Sequence, residues 1–260
     1  MLRVGIVQLS VQEGEIEKNL LRIESIIKEH KNDNVDLLCF PELCISGYQF
    51  DVARKSKDEE KLIQSLAAKY KTSILAGICL HEENKMYDAA GIWDEEGTRL
   101  GIYRKIHLYD SENGVFDRGN ELPVISFKGW NIGILICADL GFPEVSSILR
   151  KKGCDVIFYP SAWGCGPGFD ELFKNCGRIR AAENHIYTVA FNRGDGDRCY
   201  CGYSTISNPD GTVLAFAEST KEQYIKVDLE KDKIAEIRKN IGWTNMRLET
   251  LYKELEKEED

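Results

Sequence analysis

Residues 130–137 read WNIGILIC, a strand-length run that is apolar on both faces. Such a run suits an inner strand of a sheet that is covered on two sides. A chain that contains it needs covering layers, and the flanking patterns supply them. Leu2 to Leu9 and Asp36 to Phe40 are apolar runs of strand length, and between them Ile16, Leu20, Ile23 and Ile27 form one apolar stripe at helical spacing. This predicts a βαβ unit with parallel pairing. A helix over 59–70 leads into a strand over 73–80, and strands over 86–93 and 98–104 are joined by the turn Asp94-Glu95-Glu96-Gly97. After the inner strand come a helix from about Pro143, a strand over 155–159 and a helix over 170–184. Strands over 186–192, 203–207, 212–217 and 223–227 complete the set, with Asn208-Pro209-Asp210-Gly211 as a turn. The expectation is a single layered α/β domain over 1–260, its sheets covered by helices, with a helical extension from about 243.

Charge and cysteine usage bound the partners. A formal net charge of −9 gives little support to a nucleic-acid partner. Part of that excess is local: the tail after Tyr252, KELEKEED, reads as a frayed, solvated end. The opening MLRVGIVQLS turns polar at once and does not read as a signal peptide, and the longest apolar runs are too short to span a bilayer. These features predict a cytoplasmic protein with reduced thiols. Nine cysteines at irregular spacing do not make a disulfide framework. Cys199-Tyr200-Cys201 lacks a second pair at zinc-ribbon spacing, so no metal is expected.

Three strand ends carry residues capable of chemistry. Cys137 closes the inner strand and is followed by ADLGFPE, which places its sulfur near the start of the next helix. Unpaired N–H groups and the positive dipole end there favour a thiolate. The plain alternative is a small core residue. Glu42 lies just past the strand over 36–40, where ligands collect in open α/β sheets. Flanked by Phe40, Pro41 and Leu43, its carboxyl would have a pKa raised by desolvation and serve as general base. Its plain alternative is a solvated loop glutamate. Lys105, at the end of the strand over 98–104, would hold the negative oxygen of a tetrahedral intermediate, or be one more surface lysine.

Together these segments carry a resemblance. FPELCISGY, YRKIHLYD and GILICADLGFPE resemble, in order and spacing, the three active-site segments of the nitrilase, or carbon–nitrogen hydrolase, superfamily. The likeness continues through YPSAWG, RIRAAENHIYTVAFNR, GYSTISNPDGTVLA and DLEKDKIAEIR, and so covers nearly the whole chain. It implies a four-layer αββα sandwich and a Glu-Lys-Cys triad at Glu42, Lys105 and Cys137. It implies a second glutamate at Glu112 that orients Lys105 or the substrate nitrogen. The backbone N–H of Ala138 would join Lys105 on the oxyanion. Tyr48, Ser161 and Trp163 are expected to contact substrate, and Asp139, Glu144 and Asn192 to support the site, while Glu183-Asn184 is either a further support or helix-end structure. No metal or organic cofactor is needed. A homodimer or larger assembly is implied, joined by the helices after Cys137 and within 170–184. Lys105→Ala should nearly abolish turnover without unfolding the protein.

The substrate is narrowed but left open. True nitrilases usually show Cys-Trp-Glu at the nucleophile, whereas this chain has Cys137-Ala138-Asp139, which points away from a nitrile. Branches that act on N-carbamoyl amino acids often place an arginine two or three residues after the cysteine, where Leu140 and Gly141 stand here. Arg193 or Arg198 would have to substitute. The expected substrate is a small amide or carbamoyl compound. The alternatives are a nitrile, or an idle binding module that keeps the fold.

Overall fold

A computed structural model describes residues 1–56, 58–195 and 198–255. Residues 256–260 of the acidic tail therefore lie outside the described residues. The first six-stranded sheet contains β1 (Leu2–Gln8), β2 (Leu37–Phe40), β3 (Ile74–Glu82), β4 (Lys85–Trp93), β5 (Arg99–Arg104) and β12 (Gln223–Leu229), in the order β12-β1-β2-β3-β4-β5. The second contains β6 (Val124–Phe127), β7 (Trp130–Ile134), β8 (Val156–Ser161), β9 (Tyr187–Asn192), β10 (Thr205–Ser207) and β11 (Val213–Phe216), in the order β11-β10-β9-β8-β7-β6. The helices are α1 (Ile16–Glu29), α2 (Phe50–Lys55), α3 (Glu59–Tyr70), α4 (Pro143–Lys151), α5 (Phe169–Asn184), α6 (Lys231–Asn240) and α7 (Glu249–Leu255).

Period-2 alternation explains the layering. In β1, Val4 and Ile6 join a core shared with Ile132, Ile134, Val156 and Phe158 of the second sheet, while Val7 faces the core of α1 and α3. In β2, Leu37 and Cys39 turn to the inter-sheet core, and Leu38 and Phe40 turn to the helices. The second sheet is covered on its outer side by α5, whose Phe173 is fully buried, and by α4 through Leu149. This is the expected four-layer αββα sandwich. The predicted βαβ unit is present, with β1 parallel to β2 in the register Val4–Leu37 and Ile6–Cys39.

Several elements differ from the sequence reading. The inner strand stops at Ile134 in the ladder; Leu135 still donates to the Phe158 carbonyl at 3.0 Å, and Cys137–Gly141 form a 3-10 turn. β6 was not anticipated. It pairs antiparallel with β7 through the two-residue turn Lys128-Gly129, both at positive φ (46° and 79°). A lysine at the first turn position hides the Asn-Gly or Asp-Gly signal that such turns usually display. α2 and α6 were also unread, because each buries a single residue, Ala53 and Ile234, and so carries no apolar stripe. Beyond Trp243 the chain forms a short 3-10 turn and α7, with Leu248, Leu251, Tyr252 and Leu255 exposed. Among the described residues no helix is long and apolar enough to cross a membrane.

Candidate active site

The sandwich brings three strand ends to one point. β2 ends at Phe40 and delivers Glu42 through Pro41; β5 ends at Arg104 and delivers Lys105; the extension of β7 delivers Cys137. Glu42, Lys105 and Glu112 are fully buried, and Cys137 is 8% exposed. The Lys105 ammonium donates to Glu42 Oε1 at 2.6 Å, Glu112 Oε1 at 2.7 Å and Asp88 Oδ2 at 3.0 Å. Asp88, in β4, was not read from the sequence. Its signal was available: a single carboxylate inside the apolar strand MYDAAGIW. The three carboxylates have oxygens within 4.8 Å of one another, a spacing that would suit a cation, and the Lys105 ammonium bonds to all three.

Burial and charge divide the roles of these groups. Burial pushes the Glu42 carboxyl up, but Lys105 overcomes it and leaves Glu42 below its usual value. The raised value expected from desolvation alone is therefore corrected by the ammonium 2.6 Å away. Burial also pushes Lys105 down, and Glu42 and Asp88 more than reverse this, so it stays charged. Asp88 is driven well above the carboxylate range by burial and the neighbouring acids. Of the two, Glu42 is the acid whose shift favours the ionised form. Cys137 is likewise driven up, first by burial and then by the Glu42 carboxylate. Burial beside a carboxylate thus opposes the thiolate that the start of a helix would favour. A thiol beside an ionised buried carboxylate is an arrangement that could supply a nucleophile and its base.

Backbone packing fixes Glu42. Gly77 of β3 accepts from Cys44 N–H at 2.9 Å and donates to the Pro41 carbonyl at 3.2 Å. A Cβ on Gly77 would lie 2.5 Å from Glu42 Cα and 2.8 Å from Pro41 O, both backbone atoms. Gly77→Ala is therefore expected to displace the Glu42 segment, costing about 1–3 kcal/mol of stability and lowering kcat. Thermal melts and turnover measured together would check both. From the other side, Arg193 donates to the carbonyls of Glu42 at 2.9 Å and Leu43 at 2.6 Å, and pairs with Glu13 Oε1 at 3.0 Å. The buried guanidinium is engaged by these partners and does not line the cavity beside Cys137. It is a brace for the Glu42 loop.

Cys137 opens onto a cavity of about 530 Å³ whose lining includes Tyr48, Ala138, Trp163 and Arg198. The Tyr48 hydroxyl lies 2.9 Å from Glu42 Oε1 and 2.7 Å from Glu112 Oε1, linking the cavity to the buried acids. Asp139 supports the nucleophile turn: its carboxylate accepts from Ile136 N–H at 2.9 Å, Tyr103 O–H at 2.7 Å and His107 N–H at 3.1 Å. Asn192 supports the Trp163 wall, accepting from Trp163 N–H at 2.7 Å and donating to its carbonyl at 3.1 Å. Two expected residues are elsewhere. Ser161 is fully buried at the end of β8, where its hydroxyl donates to the Tyr159 carbonyl at 3.0 Å, and it does not line the cavity. The next residue takes its place, since Ala162 N–H donates to Glu42 Oε2 at 2.5 Å. Glu144 is exposed in the first turn of α4, where an acid suits the helix N-terminus, and it does not touch the site. Asn184 donates to the Arg180 carbonyl as helix-end structure, while Glu183 pairs with Arg180, whose Nε donates to the Leu140 carbonyl at 3.1 Å.

Cys165 and Cys199 form a disulfide, contrary to the expectation of reduced thiols throughout. Beside a β-bridge between Gly164 and Tyr200, the Cα atoms of Cys165 and Cys199 lie 5.6 Å apart, within ordinary disulfide range. Both lie on the cavity lining.

A model of the carbon-nitrogen hydrolase family matches residues 3–239. A probable nitrilase of Schizosaccharomyces pombe is 32% identical over 267 residues, covering 97% of each chain. An omega-amidase of Danio rerio is 30% identical over 270 residues, covering 96% of each. Among solved structures, a carbon-nitrogen hydrolase of Helicobacter pylori superposes with a TM-score of 0.89 at 21% identity, covering 98% of this chain and 97% of its own.

Proposed function

The chain belongs to the carbon-nitrogen hydrolase family, and on that premise we propose that it hydrolyses a small primary amide through a thioester on Cys137. The observation that carries this reading is the buried Lys105 ammonium bonded to Glu42 and Glu112, beside a thiol that opens on a cavity. Glu42 takes the Cys137 proton as sulfur attacks the amide carbon. Lys105 and the Ala138 N–H hold the oxyanion, each such donor being worth about 2.7–4 kcal/mol in the transition state. The C–N bond breaks as Glu42 returns the proton to nitrogen, so ammonia leaves and the acyl group stays on sulfur. Water, losing a proton to Glu42, then hydrolyses the thioester to the acid and restores the thiol. The omega-amidase relative supports an amide over a carbamoyl compound, and Ala138-Asp139 after the nucleophile stands against a nitrile.

The test is ammonia release from amides, carbamoyl compounds and nitriles, paired with intact-mass and peptide mapping of the quenched enzyme. Release from amides with an acyl adduct mapped to Cys137 is expected. Release from carbamoyl compounds or nitriles alone would reject the substrate class, and an adduct on the half-buried Cys176 instead would reject the nucleophile.

The same reading includes self-assembly. Ile148, Leu172, Ile179, Trp243 and Met246 are 40–71% exposed on or beside α4, α5 and the C-terminal segment. Light scattering is expected to give a dimer or larger species, and a monomer at micromolar concentration would reject assembly through these helices.

A further inference from the structure

We infer that Arg198 anchors a carboxylate on the substrate, so that the amide cleaved at Cys137 is one end of a small acid. This rests on the amidase reading above and names the substrate class of the same site. Among the described residues of the cavity lining, Arg198 is the only cationic side chain and none carries a carboxylate. Glu42, Lys105 and Glu112 are fully buried behind Cys137 and Tyr48, outside that lining. There the acids compensate the ammonium, so the field felt by a ligand's far end comes from Arg198.

Arg198 is exposed and has no hydrogen-bond or ion-pair partner among the described residues. A guanidinium is charged at every working pH, and its planar fork matches a carboxylate in a bidentate pair. In a protein of net charge −9, an arginine beside Cys137 with no partner among the described residues is not a general attraction for anions. It is a local one. Neither other source of a cation is open: Arg193 is spent on Glu13 and two carbonyls, and at the nucleophile turn Leu140 is buried and Gly141 has no side chain.

The loop that carries Arg198 is braced. Its neighbour Cys199 is disulfide-bonded to Cys165, Cys165 N–H donates to the Cys199 carbonyl at 3.2 Å, and Cys201 N–H donates to the Trp163 carbonyl at 3.0 Å. The cation therefore stands next to a fixed point on the cavity wall, as a specificity residue requires.

The experiment compares glutaramate with valeramide, which has the same chain length and a methyl group in place of the carboxylate, in the wild type, Arg198→Gln and Arg198→Lys. The wild type is expected to prefer glutaramate in kcat/KM. In Arg198→Gln that preference should fall on the order of 10- to 100-fold, through KM more than kcat, as for a lost charge-assisted hydrogen bond. Lysine should restore part of it. An undiminished preference in Arg198→Gln, or an equal loss on both amides, would overturn the anchor. Calorimetric titration with glutarate reads the anchor without turnover. Binding to wild type that is lost in Arg198→Gln supports it even if no amide is cleaved, which would defeat only the amidase reading. No glutarate binding to wild type would overturn the anchor itself.

Discussion

Glu42→Gln is expected to lower ammonia release by about 10²–10⁴-fold, the usual contribution of a positioned general base, and to change the shape of the pH profile. In the wild type, Lys105 holds the Glu42 carboxyl below its ordinary value, so the base stays ionised through the weakly acidic range. Activity should fall only as pH drops through that depressed value. Glutamine keeps the size of the side chain and removes the charge. Burial and the Glu42 carboxylate both raise the Cys137 thiol. Losing the carboxylate should therefore ease thiol ionisation, with Lys105 still present to favour the thiolate. The residual activity of the variant should then rise with pH toward the thiol's own titration, in place of the acidic limb. The amide also meets a hydrogen-bond conflict. Both Glu42 oxygens accept, from Lys105 and from Ala162 N–H, and glutamine offers one acceptor and one NH₂. A modest loss in melting temperature is expected beside the kinetic one. Turnover within a few-fold of wild type, with an unchanged pH profile, would remove Glu42 from its role.

The sequence was informative where position along a strand decides placement. Glu42, Lys105 and Cys137 each follow a strand whose apolar pattern is unambiguous, and in a layered sheet strand ends of this kind converge. Ranges such as 59–70 for α3 were legible because helical stripes mark their own ends. What stayed hidden depends on contacts between segments far apart in the chain. Asp88 looks like one polar residue in a strand until β4 is seen to run beside β5, placing it 3.0 Å from Lys105. Arg193 looks like a candidate for substrate until its bonds to the Glu42 loop, 150 residues away, are counted. Ionisation was legible least of all. The sign of the shift at Glu42 is set by burial against an ammonium, and at Cys137 by burial and the Glu42 carboxylate against that same ammonium, and neither balance is encoded in a local pattern.

Lys105→Met should lose more than Glu42→Gln, and it should lose stability as well. Methionine keeps the unbranched stem and removes the cation bonded to Glu42, Glu112 and Asp88. Turnover loses the oxyanion donor, about 10²–10³-fold. It loses the base too, because without the ammonium, burial drives Glu42 to take up a proton. The fold should survive the loss of Lys105, as the sequence reading expects, but at reduced stability. Breaking a fully buried ion pair by removing one partner costs about 3–5 kcal/mol at neutral pH. The pH dependence should reverse in sign. In the wild type the folded Glu42 value lies below the unfolded one, so its contribution is present above the ordinary carboxylate range and is lost as pH falls through the folded value. In the variant the folded value lies above the unfolded one. The native state then binds the extra proton, and stability declines as pH rises from the ordinary carboxylate range toward neutrality. Melting curves from pH 5 to pH 8 read this directly: the variant should approach wild type at the acidic end and fall away from it at the alkaline end. A constant offset across that range would mean that the buried carboxylates do not depend on Lys105 for their charge, and the division of roles between Glu42 and Asp88 would fall with it.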